Sequence, residues 1–288
     1  HLLFVREQTL FARPFDVKQL EFTEEAFPIA EQVHFSQGIS KASFSISDNG
    51  ILVYQAVAGE MGGRLVWYDR SGKQVGAISR LSTYNDLRLS PDGKRIAVSD
   101  YEARNKNPDI FLYEIGSVLW TRFTFDQAFE RWPRWSPDGN TVVFTSSRKG
   151  HQDLYVRESS GAGNEELLFG SDLNKSASDW STDGKFLVLH ALDRKTRYDI
   201  WILPMTGERK PSLFLQTEFD EWRATFSPDG RWIAYESNES GNYEVYVLPF
   251  TGPGGRRQVS TGGGTRPRWR RDGKELFFLS SNNNIMAA

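Results

Sequence analysis

The sequence predicts an all-β fold, a β-propeller of four-stranded antiparallel blades, on three observations. A turn tetrapeptide recurs six times at near-constant spacing. Strand-sized apolar runs fill each interval. No segment carries a sustained helical period.

The turn comes first in the argument. Gly50 closes Ser-Asp-Asn-Gly, Gly93, Gly139 and Gly230 close Ser-Pro-Asp-Gly, Gly184 closes Ser-Thr-Asp-Gly, and Gly273 closes Arg-Arg-Asp-Gly. The intervals are 43, 46, 45, 46 and 43 residues. Pro presets φ at the first turn position, Asp bonds its own backbone, and Gly takes the positive φ. The repeated Asp92, Asp138, Asp183, Asp229 and Asp272 are therefore expected to be turn formers rather than acids or metal ligands.

Short runs precede each turn, such as Arg134-Trp135, Asp179-Trp180 and Arg268-Trp269. Apolar runs follow it, from Ile51, Arg95, Thr141, Phe186, Trp232 and Glu275. A third run comes after a polar loop, as in Ile110–Tyr113, Leu154–Val156, Ile200–Leu203 and Val245–Leu248, and a weaker fourth completes the unit. Four strands in about 45 residues make a propeller blade. Asp109, Asp153, Asp199 and Glu244 open the third runs and are expected to bond polar groups such as Ser146 or Ser237. One propeller domain spans 1–288, with a partial blade in 1–42, five complete repeats in 43–264 and a partial blade in 265–288. Six to seven blades follow, with incomplete ends. The chain closes as seven blades, as six with a surplus hairpin, or is an open slice of a longer array. It reads as a piece of a longer protein.

Composition narrows the function. The 35 basic and 37 acidic residues give a net charge of −2, which argues against a general nucleic-acid or acidic-membrane binder. There is no cysteine, hence no disulfide, thiol nucleophile or Cys-type zinc site. The longest apolar stretches are strand-sized, so no direct membrane insertion is expected. The 20 Phe, 10 Tyr and 9 Trp suit the wedge between blades.

Trp135-Ser136-Pro137-Asp138-Gly139 with Thr141–Ser146 and Asp153–Val156, and Phe226–Tyr235 with Glu244–Val247, resemble the repeat of TolB-type propellers. The likeness runs from Ser43 onward. The first and last turns depart from it, as terminal repeats do. Leu2–Glu7, Pro267–Phe277 and Ser159–Leu168 resemble the C-terminal propeller regions of bacterial membrane-anchored serine/threonine kinases. That resemblance implies a periplasmic or extracellular location.

Catalytic motifs are missing. His1, His34, His151 and His190 have no second His at metal spacing, and there is no Gly-x-Ser-x-Gly, kinase loop or phosphate loop. No cofactor or metal is implied, and His190 reads as structural or in solvent contact.

Candidate binding residues come from register. Five places before each turn glycine stand Ser45, Arg88, Arg134, Asp179, Thr225 and Arg268, all polar. One place later stand Ile46, Leu89, Trp135, Trp180, Phe226 and Trp269. This alternation suggests a polar row facing a central channel beside a packed row. The segments before it, read as loops, carry Tyr84, Glu130, Arg131, Trp132, Glu221, Trp222, Arg223 and Arg266. Arg and Trp are hot-spot residues. The expected function is a non-enzymatic propeller that binds a protein, peptide or small anionic ligand on its channel face, as part of a larger bacterial protein. The competing readings are the gating propeller of a prolyl-oligopeptidase-like serine peptidase, with its catalytic domain outside this chain, and a purely structural scaffold.

Overall fold

The computed structural model describes residues 2–6, 9–16, 21–31, 33, 35–36, 41–42, 44–46, 52–57, 63–68, 73–78, 80, 82–101, 107–117, 119–270, 272–282 and 284–288. Every element among them is a strand, and no helix occurs. The chain divides into two compact units, residues 1–133 and 134–288, with the division inside the strand Glu130–Trp135.

The first unit opens on a three-stranded antiparallel sheet of Leu2–Arg6, Thr9–Arg13 and Phe27–Ala30. Two four-stranded meanders follow. One is Phe44–Ile46, Leu52–Val57, Gly63–Tyr68 and Gln74–Ala77. The other is Thr83–Leu89, Arg95–Tyr101, Asp109–Glu114 and Trp120–Arg122. Leu65, Trp67 and Ile78 of one meander pack with Tyr84, Leu87, Val98 and Phe111 of the next.

The second unit continues the pattern. After the sheet entered through Glu130–Trp135 come Asn174–Trp180, Phe186–Asp193, Arg197–Pro204 and Ser212–Leu215, then Glu221–Phe226, Trp232–Ser237, Glu244–Pro249 and Arg257–Gln258. A three-stranded sheet of Gly264–Trp269, Leu276–Ser280 and Ile285–Ala287 ends it. Val188, Ile200 and Ile202 pack on Ala224, Phe226 and Tyr235 of the following sheet. Each sheet therefore buries an apolar face against its sequence neighbour, which a lone meander cannot do. The architecture is an all-β propeller of four-stranded antiparallel blades with incomplete blades at the chain ends.

The turn chemistry repeats in each copy. Ser136 Oγ donates to Asp138 Oδ1 at 2.5 Å, which also accepts the Asn140 N–H at 3.0 Å. The same Ser Oγ accepts the Thr141 N–H at 2.9 Å, and Gly139 N–H bonds Ser136 O at 2.9 Å. Ser90, Ser181 and Ser227 do likewise with Asp92, Asp183 and Asp229. The closing glycines hold φ between 68° and 75°. These bonds hold the Asp carboxyls below the usual range, the serine hydroxyl first for Asp92, Asp138 and Asp183. In the last copy Arg270 replaces Ser, and Asp272 keeps the turn bond to Lys274 N at 3.2 Å and pairs with Arg270 Nη2 at 3.1 Å. The turn at 47–50 lies outside the described residues.

The acids opening the third strands reach further than the loop before them. Asp109 pairs with Arg122 at 2.7 Å, Asp153 takes Lys175 Nζ at 2.5 Å, Asp199 takes Gln216 Nε2 at 2.9 Å, and Glu244 takes Ser260 Oγ at 2.5 Å. These partners lie on the fourth strand, on the connection after it or, for Asp153, on the first strand of the next blade, while Asp199 also takes the hydroxyl of Thr196, in the loop before its strand, at 2.7 Å. The reason is register: each acid sits where its strand meets the returning connection.

Ser227→Ala removes a donor to Asp229 and an acceptor for Trp232 N–H. The expected loss is about 1 kcal/mol in urea unfolding. Gly230→Ala, with no atom within 4 Å of its new Cβ, loses a similar amount through φ strain alone, about 1 kcal/mol.

Candidate functional site

The first strands are longer than expected and they are bulged. Tyr84, Glu130, Arg131, Trp132, Glu221, Trp222, Arg223 and Arg266 lie inside strands, not loops. Pairing shifts between Tyr84 and Asp86, Ala177 and Asp179, Trp222 and Thr225, and Thr265 and Arg268. The extra residue breaks the period of two that marks a strand, so the segment looks irregular in sequence.

Trp132, Arg223 and Arg266 stand at one register, seven places before the turn glycine, with φ of 58°, 50° and 58°. A non-glycine residue there costs about 1 kcal/mol. The backbone N–H groups are taken by side chains: Trp132 N–H by Ser99 Oγ at 3.2 Å, and Arg266 N–H by Glu236 Oε1 at 2.6 Å. Ser99 and Glu236 both lie six places after a turn glycine, on the second strand of the preceding blade.

In the second unit these strands gather one face. Arg134 Nε donates to Ser178 O at 3.1 Å. Ser178 Oγ meets His190 Nδ1 at 2.9 Å. The His190 ring stands edge-on to Trp222 and Tyr198, which stack at 5.3 Å, and Tyr243 leans on Trp222 at 5.9 Å. Arg223 lies 4.2 Å from the Trp222 ring and 3.4 Å from both Glu236 oxygens. Asp179 accepts Thr225 Oγ1 at 2.8 Å and Phe226 N–H at 3.0 Å, and Trp269 Nε1 donates to Thr225 O at 3.3 Å.

The electrostatics follow from that packing. Arg268 is solvent-exposed, yet desolvation and the nearby Arg134 and Arg223 push its pKa down against the pull of Asp179 and Glu236. Desolvation brings Arg266 to about 10, with Arg223 and Arg268 adding to the fall. His190 is pushed to about 3, by burial first and then by Arg223 and Arg134. It is neutral at physiological pH. Its pairing with Ser178 has the form of a base and nucleophile, but such an imidazole is too weak a base to activate a hydroxyl.

In the first unit, Arg88 Nη1 pairs with Asp86 at 2.9 Å. Arg131 stands 3.3 Å from the Phe129 ring centroid and 4.1 Å from that of Trp132, and burial lowers its pKa to about 10. Three expected site residues are packed away. Tyr84 is 1 % exposed, stacked on Trp120, with its hydroxyl on Arg80 O at 3.1 Å. Glu130 and Glu221 are 0 % exposed. Glu221 accepts from the Thr217 hydroxyl and N–H, and burial lifts it to about 7. Sequence reasoning read His190 as structural or in solvent contact and passed over Tyr198, Glu236 and Tyr243. The register of His190 and Glu236 on the second strand, shared with Ser99 and Thr145, was the available signal. Among the described residues no three His, Asp or Glu converge as a metal set.

Residues 70–221, more than half the chain, match the family described as the TolB beta propeller domain. The chain belongs to the TolB β-propeller family. This TolB-type propeller is 25 % identical over 221 residues to an uncharacterised peptidase, YuxL, of Bacillus subtilis, covering 59 % of the chain and 33 % of the peptidase. It thus spans about a third of that relative's length. The structure of TolB from Acinetobacter baumannii superposes with a TM-score of 0.64 at 20 % identity, over 86 % of this chain and 60 % of that one. A prolyl endopeptidase structure gives 0.67 at 15 % identity, over 97 % of this chain and 46 % of that one. At these identities the two structures share the fold alone with the TolB-type propeller.

Two outcomes are expected. Glu221 keeps a proton in the native state between its unfolded pKa, about 4.3, and about 7, so native stability falls as pH rises through that window. Glu221→Gln removes that fall, worth on the order of 2 kcal/mol by pH 8, in urea unfolding at pH 5 and 8. Arg266→Gly relieves the positive φ while keeping the N–H bonded to Glu236, so stability is unchanged or rises by up to about 1 kcal/mol. A drop of more than that would show that φ 58° is not strained.

Proposed function

We propose that this chain is a binding module rather than an enzyme. It takes a protein or peptide partner on the inner-strand face of its second unit. The observation that supports this most is the placement of Arg134, Arg223, Arg266 and Arg268 beside the ring cluster of His190, Tyr198, Trp222 and Tyr243, on strands rather than loops. Arginine and large aromatic rings on a rigid frame bind with little ordering cost. The same guanidiniums suit a small anionic ligand. Periplasmic or extracellular placement, within a larger bacterial protein, is proposed from the likeness to TolB, and no described helix is long and apolar enough to cross a membrane.

The similarity to the Bacillus peptidase favours a second reading, a propeller that gates a peptidase domain elsewhere in its parent. The parent reading frame separates the two: a nucleophile-elbow serine with Asp and His beyond these residues supports gating.

A random peptide library displayed on phage and panned against the chain tests the first. Enriched peptides are expected to lose at least tenfold in affinity to Arg268→Glu and to Trp222→Ala, and to keep it with Arg231→Glu, which sits on an exposed turn. No enrichment, or binding indifferent to the first two changes, overturns the proposal.

A further inference from the structure

The second unit holds a groove of about 660 Å³ between two consecutive blades, on the side of their Ser-Asp turns. One blade supplies the turn after Glu130–Trp135 and parts of the strands Asp153–Glu158 and Glu166–Phe169. The next supplies the turn after Asn174–Trp180 and the connection after Arg197–Pro204. That volume lies within the ~300–1,000 Å³ of small-molecule sites. Val156, Trp180 and Met205 make the floor, and they belong to the apolar cluster that joins the two blades through Val143, Leu187 and Leu203. Trp180 Nε1 donates to Gly184 O at 3.1 Å, which fixes the ring lining the groove.

Register decides what stands above that floor. Thr141 pairs with Glu158, and Val156 pairs with Glu166. Directly opposed residues of antiparallel strands share a face, as do residues two apart on one strand. Val156, Glu158 and Glu166 therefore leave the same face of their sheet, the one packed on the next blade. Arg157 also lines the groove, but by the same rule its side chain starts from the other face, and its Nη2 bonds Gly161 O. Glu158 and Glu166 are exposed, as are Asp138 and Asp183 of the two turns. Asp138 accepts from Ser136 and Asn140, and Glu158 from Ser160, all neutral donors. Among the described residues no cation pairs with Asp138, Glu158 or Glu166. Asp183 has Lys185 Nζ at 3.2 Å, with both side chains in solvent. Arg209, exposed on the connection after Arg197–Pro204, opposes these acids across the groove lining.

We propose that this groove binds a small organic cation, an ammonium or guanidinium carried on an apolar body. Asp138, Glu158 and Glu166 receive the charge, and Val156, Trp180 and Met205 receive the body. Exposed ion pairs are worth little alone. Here burial of the apolar body holds the ligand, and the acids choose its sign. A cation lying over the Trp180 ring gains cation–π attraction as well. An anion on the same body meets carboxylates that no cation neutralises. Arg209 works against the ligand, so it acts in the opposite direction to the two glutamates. The volume suits one small molecule rather than a folded partner. The site shares no residue with the inner-strand face, so it goes beyond the binding-module reading and stands or falls apart from it.

NMR titration of the chain, carrying isotope-labelled tryptophan, with phenethylamine, phenethyl alcohol and hydrocinnamate at low salt tests this. The Trp180 indole N–H signal is assigned with Trp180→Phe. Phenethylamine is expected to shift that signal saturably and to bind fivefold or more tighter than the alcohol, with hydrocinnamate weakest. The Trp222 signal, on the inner-strand face, stays in place. Glu158→Gln combined with Glu166→Gln brings the amine down to the alcohol's affinity, and Arg209→Ala tightens it about twofold. All three positions are exposed, and unfolding midpoints confirm that the variants fold. No saturable shift at Trp180, alcohol or hydrocinnamate binding as tightly as the amine, no loss in the double variant, or weakening in Arg209→Ala overturns the proposal. A capped Leu-Lys-Leu peptide binding tenfold or more tighter than the amine also overturns it, in favour of a basic peptide segment as the occupant.

Discussion

The feature on which the binding face depends is the bulge in first strands such as Asn174–Trp180, Glu221–Phe226 and Gly264–Trp269. A regular strand sends successive side chains to opposite faces. One extra residue breaks that alternation, bends the strand and removes a backbone N–H from the ladder. A freed N–H inside a protein needs a partner. Ser99 and Glu236 meet that need for Trp132 and Arg266 from the preceding blade. The bulge thus does two things at once. It ties neighbouring blades through a side-chain bond, and it turns consecutive arginine and aromatic residues toward the same side. Glu130-Arg131-Trp132 and Glu221-Trp222-Arg223 show the result with the order exchanged: in both, a guanidinium lies on the adjacent ring, at 4.1 Å and 4.2 Å.

That constraint also explains two prolines. Pro133 and Pro267 each follow a residue of positive φ within a first strand. Proline cannot donate to a ladder and is confined to edges, first positions or bulges. The first strand is the edge strand of its sheet, and the bulge lies beside the proline. A residue that would disqualify a central strand therefore belongs here, and it stiffens the segment that carries the arginines.

The same reasoning says which parts could be read in advance. The Ser-Pro-Asp-Gly turn was legible because its chemistry is local: hydroxyl, carboxylate and positive φ lie within five residues. The second and third strands were legible as apolar runs. The first strands were not. Glu130-Arg131-Trp132-Pro133 offers neither alternation nor β-branched residues, since the strand's identity is imposed by its partners. Candidate residues came from counting back from the turn, and among them Thr225 donates to Asp179. Counting could not tell that Tyr84, Glu130 and Glu221, nine places before their glycines, point inward. Burial there is decided by the neighbouring blade. Nor could it show that His190 would be held neutral, by burial first and then by two arginines drawn from other strands.

A repeat protein offers its own contrast between scaffold and site. A position that serves the blade does so in copy after copy, so its residue recurs through the four middle turns: aspartate before the turn glycine, serine three places before it. A position that serves a ligand has no such obligation, because each blade presents a different part of the surface. Five places before the glycine the chain has Arg88, Arg134, Asp179, Thr225 and Arg268, and six places after it has Ser99, Thr145, His190 and Glu236. The first row stays polar in every copy and the second in the four middle ones, with Ala56 and Leu279 at the ends, while the identity changes. Polarity answers the demand of the fold at the bulge, a side chain able to bond the next strand. The choice among Arg, Asp, Thr, His and Glu is left over. In the second unit that choice places four guanidiniums beside two pinned carboxylates.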